Sequence, residues 1–260
     1  MKIDRKKAKQ SFASYVQGYD ASDSKVRLKI EHTYRVSELC EKIALSIGLA
    51  GEDVDLAWLI GILHDVGRFE QLKRYGTFLD SESIDHAMFG ADILFGKSGE
   101  KAQIRNYAES AEEDKLIELA VRNHSVYRIP EDLDERTKMY CNIIRDADKI
   151  DILKVNVEYP LEEIYNVSTD QLRNEKVSPE VMQSFSEKHA TLRSLKKTCV
   201  DHVVGHISLS FELVYPLSLK IVMEQGYLER LLYFQSENPV TRKQFEQLRI
   251  QMDDYVKEKL

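Results

Sequence analysis

The chain has 260 residues, 43% of them apolar and 31% charged, with a formal net charge of −7 at pH 7. Eleven glycines and five prolines argue against a disordered or turn-rich all-β chain, and the acidic balance excludes a general nucleic-acid surface. Three cysteines, Cys40, Cys141 and Cys199, fall in apolar helical patterns and are expected as reduced thiols of a cytoplasmic protein. No apolar run approaches the roughly 18 residues of a membrane span, and no signal peptide opens the chain, so a membrane partner is not expected.

Ile3 to Gln17 reads as a polar first helix, ended by Gly18 and a turn from Tyr19 to Ser24. Leu28, His32, Val36, Leu39, Ile43 and Ile47 then recur at helical spacing up to Gly48, which sets His32 in an apolar stripe. Glu52 to Gly67 reads as an amphipathic helix with Leu56, Leu59, Ile60 and Leu63 inward and His64-Asp65 near its end. Buried unpaired, that imidazole and carboxylate would cost several kcal/mol, so they need partners, water or a metal. Arg68 to Glu82 holds Gly76 and several aromatics and is expected as a loop over the site. Ser83 is expected to cap a helix from Ile84 to Phe95, with His86 in its first turn.

Gly96 to Asp114 has no assignable period, whereas Lys115 to Asn123 reads as a helix that delivers His124 at its end. Asp134 to about Val155 reads as a long helix. Turning about 100° per residue from Tyr140 puts Ile143, Ile144, Ala147 and Ile150 on one face. Asp151 falls inside that face, Asp148 at its edge and Asp146 on the far flank, which favours Asp148 as the buried carboxylate. Glu158 to Pro179 reads as a connector or lid, Glu180 to Lys197 as a helix, and Asp201 to about Leu232 as a helix kinked or split at Pro216. Pro239 precedes a charged helix from Val240 to Leu260. No strand-like alternation appears, so the expected fold is all-α.

His32, His64-Asp65, His86, His124 and Asp148 thus come from five helices or helix ends. Neutral imidazoles beside carboxylates are a good donor set for a divalent ion. His32 in Glu-His-Thr-Tyr-Arg-Val, His64-Asp65 in Leu-His-Asp-Val-Gly-Arg and Asp148 in Asp-Ala-Asp-Lys-Ile-Asp together resemble the His…His-Asp…Asp pattern of the HD-domain superfamily of metal-dependent phosphohydrolases. The resemblance covers roughly Lys25 to Lys154. It implies a helical bundle in a single domain over 1–260, with an HD core at about 25–155 and a C-terminal helical extension at about 175–260. His86 and His124 are similar to the two additional ligands of binuclear members, such as HD-GYP phosphodiesterases, symmetric dinucleoside-tetraphosphate hydrolases and HD-type oxygenases. The GYP motif itself is absent.

On that resemblance Asp65 would bridge two ions, with His32, His64 and Asp148 on one and His86 and His124 on the other. The implied activity is hydrolysis of a phosphate ester, a nucleotide among the candidates, by a metal-activated hydroxide. The ions could be one or two of Mn, Fe, Co, Ni or Mg. Arg68 and Arg35 are candidates for gripping phosphate, against the plainer reading of each as a surface ion pair. Two other readings use the same residues: a di-iron HD-type oxygenase, and a non-catalytic metal-stapled domain that binds a nucleotide or a partner. The C-terminal helices could cover the core or form a homodimer surface. His202 and His206 are spaced to share a helix face but lack a nearby glutamate in a metalloprotease pattern and lie outside the HD core, and His189 reads as solvated.

Overall fold

The structure, a computed structural model, describes residues 1–97, 101–165 and 167–260. It is all-α, with no strand among the described residues. Two compact units divide the chain, Met1–Asp148 and Lys149–Leu260.

The first unit holds α1 (Arg5–Val16), α2 (Ser24–Ser46), α3 (Glu52–Leu63), α4 (Val66–Tyr75), α5 (His86–Phe95), α6 (Asp114–Asn123) and most of α7 (Glu135–Glu158), with short 3-10 turns at Asp80–Glu82 and Ile104–Asn106. Of the tract from Gly96 to Asp114, residues 98–100 lie outside the described residues. At the centre is α3, in which every residue from Leu56 to Leu63 is buried. It is apolar all round rather than amphipathic, as expected of a helix surrounded on every side. Gly61 lets α2 pack against it, since a Cβ there would lie 2.5 Å from the Ser37 Cα.

Two differences from the sequence reading bear on the site. The helix that was to run through Gly67 stops at Leu63, and the tract expected as a loop begins as helix α4. His64 and Asp65 fill the break, with Asp65 at φ −106° and ψ 15° as the N-cap of α4. The α5 helix starts at His86 with Asp85, not Ser83, accepting from the Ala87 and Met88 amides. The aspartate sits at the position where its carboxylate meets two free N–H groups.

The second unit contains α8 (Leu161–Tyr165), α9 (Thr169–Asn174), α10 (Pro179–Ser186), α11 (Cys199–Ser208), α12 (Pro216–Gln225), α13 (Tyr227–Leu232) and α14 (Pro239–Lys259). Pro216 splits the tract rather than kinking it, starting α12 because its missing N–H costs nothing in the first turn. Val181 and Phe185 of α10, Val200, Val204 and Ile207 of α11, Leu228 of α13 and Phe245, Leu248 and Met252 of α14 are buried in this unit. The Phe211 ring stands edge-on to Phe185 and Tyr255, with centroids 4.7 and 4.8 Å away. No helix of the described residues is long and apolar enough to cross a membrane.

Candidate metal centre

Two of the histidines leave their helices by the same device. His64 follows the last residue of α3, and its Nδ1 donates to the Gly61 carbonyl at 2.8 Å. His124 follows the last residue of α6, and its Nδ1 donates to the Val121 carbonyl at 2.7 Å. Each bond ties the ring to a carbonyl in the last turn of its own helix. It also places the ring proton on Nδ1 and turns the Nε2 lone pair inward. His86, in the first turn of α5, reaches the same state through Asp80, whose Oδ2 lies 2.8 Å from its Nδ1.

The inward nitrogens converge. His64 Nε2 lies 3.3 Å from His32 Nε2, and His86 Nε2 lies 3.1 Å from His124 Nε2. Asp65 stands between the two pairs. Its Oδ2 is 3.5 Å from both His32 and His64 Nε2, while its Oδ1 is 3.5 Å from His86 and 3.6 Å from His124 Nε2. Asp148 Oδ1 completes one side, 3.1 Å from His32 and 3.9 Å from His64. Donor atoms of His32, His64 and Asp148 lie within 4.8 Å of one another, as do those of His64, Asp65 and His124. All six residues proposed from sequence as ligands therefore meet in one place, within the first unit.

The electrostatics fit a bound cation. Burial depresses the His64 imidazole against the pull of Asp65, and burial with the Arg68 charge brings His86 down to about 4. Both rings are neutral at physiological pH, which is the ligating form. Burial alone would raise Asp65, but the Lys29 ammonium and the neighbouring imidazoles outweigh it and hold the carboxyl well below the usual range. Asp148 is lowered against its burial chiefly by its hydrogen bond to His32. Ring nitrogens 3.3 and 3.1 Å apart repel through their lone pairs unless a proton or a metal cation lies between them. The donor set thus suits one or two divalent ions.

A family model described as HD domain matches residues 30–153. The chain carries an HD domain. No curated protein and no solved structure matches it. The residues that support the candidate ligands are ones that sequence reasoning missed. Lys29, one turn before His32 on α2, donates to Asp65 Oδ2 at 2.7 Å. Asp80 holds His86 and also accepts from Arg68 Nη1 and Gln71 Nε2, both at 2.9 Å. Arg145 of α7 donates to the carbonyls of Asn123, Val126 and Tyr127, tying down the segment around His124. Tyr15 of α1 donates to the Val66 carbonyl at 2.8 Å, beside the His64-Asp65 break. A charged residue buried in a helical pattern, as Arg145 is, was the one available signal.

The two arginines differ. Arg68 spends Nη1 on Gln71, the Phe78 carbonyl and Asp80. Its buried Nε has no hydrogen-bond partner and lies 3.7 Å from Asp65 Oδ1. Arg35 pairs along α2 with Glu31 at 3.7 Å. Asp146 corrects one reading, because it is completely buried whereas the Asp148 side chain is 15% exposed. Helical angle alone put Asp146 on an outer flank, but α7 is enclosed on more than one face; burial raises the Cys40 thiol, and the charges of Asp148 and Asp146 add to it.

Proposed function

We propose that the chain is a metal-dependent phosphohydrolase acting on a phosphate ester, a nucleotide among the candidate substrates. The observation that carries this reading is the division of Asp65, with one carboxylate oxygen toward His32 and His64 and the other toward His86 and His124. That is the arrangement a carboxylate shared by two ions requires. His32, His64, Asp65 and Asp148 would hold one ion, and His86, His124 and Asp65 the other. Bound there, divalent ions supply Lewis acidity toward phosphate oxygens and lower the pKa of water.

The chain's own residues do the rest. Gly61, Val121 and Asp80 fix three imidazole tautomers so that the site is organised before substrate arrives. Arg68 is held rigid by three acceptors on Nη1 and keeps Nε as a donor for a phosphate oxygen. Lys29 brings a second positive charge to Asp65 and lies 5.6 Å from the Phe78 ring centre, with the Arg68 guanidinium 5.8 Å from the same ring. A cationic rim of this kind favours a dianionic ligand.

The test is metal analysis of protein purified without chelator, with a phosphate-release screen over nucleotides and phosphate monoesters under added Mn, Co, Ni or Fe. About two ions per chain, with release abolished in Asp65→Asn and slowed in Arg68→Met at unchanged metal content, is the expected result. Two irons with no release from any compound would overturn the hydrolase reading in favour of an oxygenase.

A further inference from the structure

In the second unit a groove of about 610 Å³ is lined by α14 on one wall and by α12 and α13 on the other. The α14 wall is a single helical face, Glu246, Arg249, Ile250, Asp253 and Val256, at spacings of three and four residues. At 1.5 Å per residue that face runs about 15 Å, nearly three turns. The opposite wall brings Met223, Leu228, Leu232 and Tyr233. Leu228 and Leu232 are buried, whereas Met223, Tyr233 and Ile250 are 40, 55 and 63% exposed. One exposed apolar side chain is ordinary on a protein surface, but three around one groove mark a face that meets something.

The charge on this face is one-sided. Glu229, Glu246 and Asp253 are exposed along the groove. None of these carboxylates has a hydrogen-bond or ion-pair partner among the described residues. Arg249, the one cation in the lining among the described residues, is already engaged. Its Nη1 donates to the Leu232 carbonyl at 3.1 Å, and its guanidinium lies 4.8 Å from the Tyr233 ring centre. Those contacts tie the two walls together and leave three open carboxylates beside an apolar trough.

We propose that this groove docks the apolar face of a basic amphipathic helix from a partner protein. Partner residues at i, i+3 or i+4 and i+7 seat between the two walls, and the flexible Met223 adapts to the side chains it meets. Lysines or arginines beside them face Glu229 on one wall and Glu246 and Asp253 on the other, which sets partner choice and register. A second copy of this chain is a poorer occupant, because a two-fold contact turns like carboxylates toward one another. An anionic lipid surface is opposed by the same charges. Every lining residue belongs to the second unit, so the proposal stands independently of the hydrolase reading.

The experiment is fluorescence anisotropy on the full-length protein at physiological ionic strength. The probe is a labelled helical peptide of about 18 residues, with leucine on one face and lysine on the other. The expected result is saturable binding, with Kd raised at least tenfold in Ile250→Ser and in the double variant Glu246→Lys/Asp253→Lys. The same peptide with glutamate in place of lysine should not bind. Glu38→Lys/Glu131→Lys makes an equal charge change on exposed residues of the first unit and should leave Kd at the parent value, which separates a local face from the overall negative charge. All five positions are exposed, so melting temperatures should stay at the parent value. No saturable binding, Kd unaltered in either groove variant, or an equal loss in Glu38→Lys/Glu131→Lys would overturn the proposal. Sedimentation showing a dimer that Ile250→Asp disperses would overturn it in favour of a second copy, and binding to anionic vesicles that Ile250→Ser abolishes would do so in favour of a membrane.

Discussion

Asp80 touches no proposed ion, yet replacing it tests the metal centre closely. Its carboxylate serves three donors: His86 Nδ1 at 2.8 Å on one oxygen, and Arg68 Nη1 and Gln71 Nε2, both at 2.9 Å, on the other. Burial opposes its charge, but the His86 hydrogen bond and the Arg68 charge still hold its pKa far below the ordinary carboxylate value. Asp80→Asn keeps the size and leaves one acceptor oxygen where there were two. Whichever way the amide turns, its NH₂ faces a donor. If it faces His86, the ring must move its proton to Nε2 or rotate, and either change removes the inward lone pair.

The loss of such an outer partner typically weakens metal binding by about 10–100-fold, or about 1.4–2.8 kcal/mol. Calorimetric titration of chelator-stripped protein with Mn²⁺ reads this directly. Asp80→Asn should weaken the ion held by His86 and His124 and spare the one held by His32, His64 and Asp148. His32→Gln should give the opposite pattern. Unchanged affinity in Asp80→Asn, with the fold intact by thermal melting, would show that His86 is not a ligand oriented by Asp80.

Three further outcomes follow from the same geometry. Lys29→Met should cost the chelator-stripped protein about 3–5 kcal/mol, the usual result of stripping one partner from a buried pair, and saturating Mn²⁺ should recover most of it; an equal loss with and without metal, read by denaturant melts, would contradict that. His86 titrates near 4 when folded and near 6.5 when unfolded, so the unfolded chain takes up the proton first and stability falls as pH drops through that window. The total is about 3 kcal/mol in metal-free protein, and His86→Gln should flatten the slope; a slope identical to the parent would refute the assignment. Finally, a Cβ at Gly67 would overlap the His86 carbonyl and crowd the Gly90 backbone. Gly67→Ala should therefore cost about 1–3 kcal/mol or more and lower metal content, whereas an alanine tolerated with full metal would mean that α4 and α5 are not so closely packed.

Five of the six candidate ligands were legible in the sequence because they break a pattern: His32 in an apolar stripe, His64-Asp65 after an apolar run, and His124 and Asp148 at a helix end or the edge of a face. Several helix positions were also legible, since hydrophobic period and proline placement act locally, but the connector expected over Glu158 to Pro179 holds α8 and α9, and the helix expected over Glu180 to Lys197 ends at Ser186. Helix ends were less so. The break at His64 has no glycine or proline to announce it, and it exists because an imidazole caps a carbonyl of the very helix it terminates. The amphipathic reading of α3 failed because its neighbours cover every side, which no local period records.

The supporting set was illegible for a related reason. Gly61 and Val121 contribute carbonyls, to which sequence is indifferent, and Asp80 and Lys29 look like any charged residue until the chain brings them to His86 and Asp65. Glycine is what makes those meetings possible. Gly67 and Gly90 let α4 and α5 approach backbone to backbone, and the atom nearest a Cβ at Gly67 would be the carbonyl oxygen of His86 itself. The helix that follows Asp65 and the helix that begins with His86 are thus locked at the point where those two side chains meet. A residue with no side chain sets the separation between two that have the chemistry, so the spacing of the centre belongs to the packing of helices and not to any ligand motif.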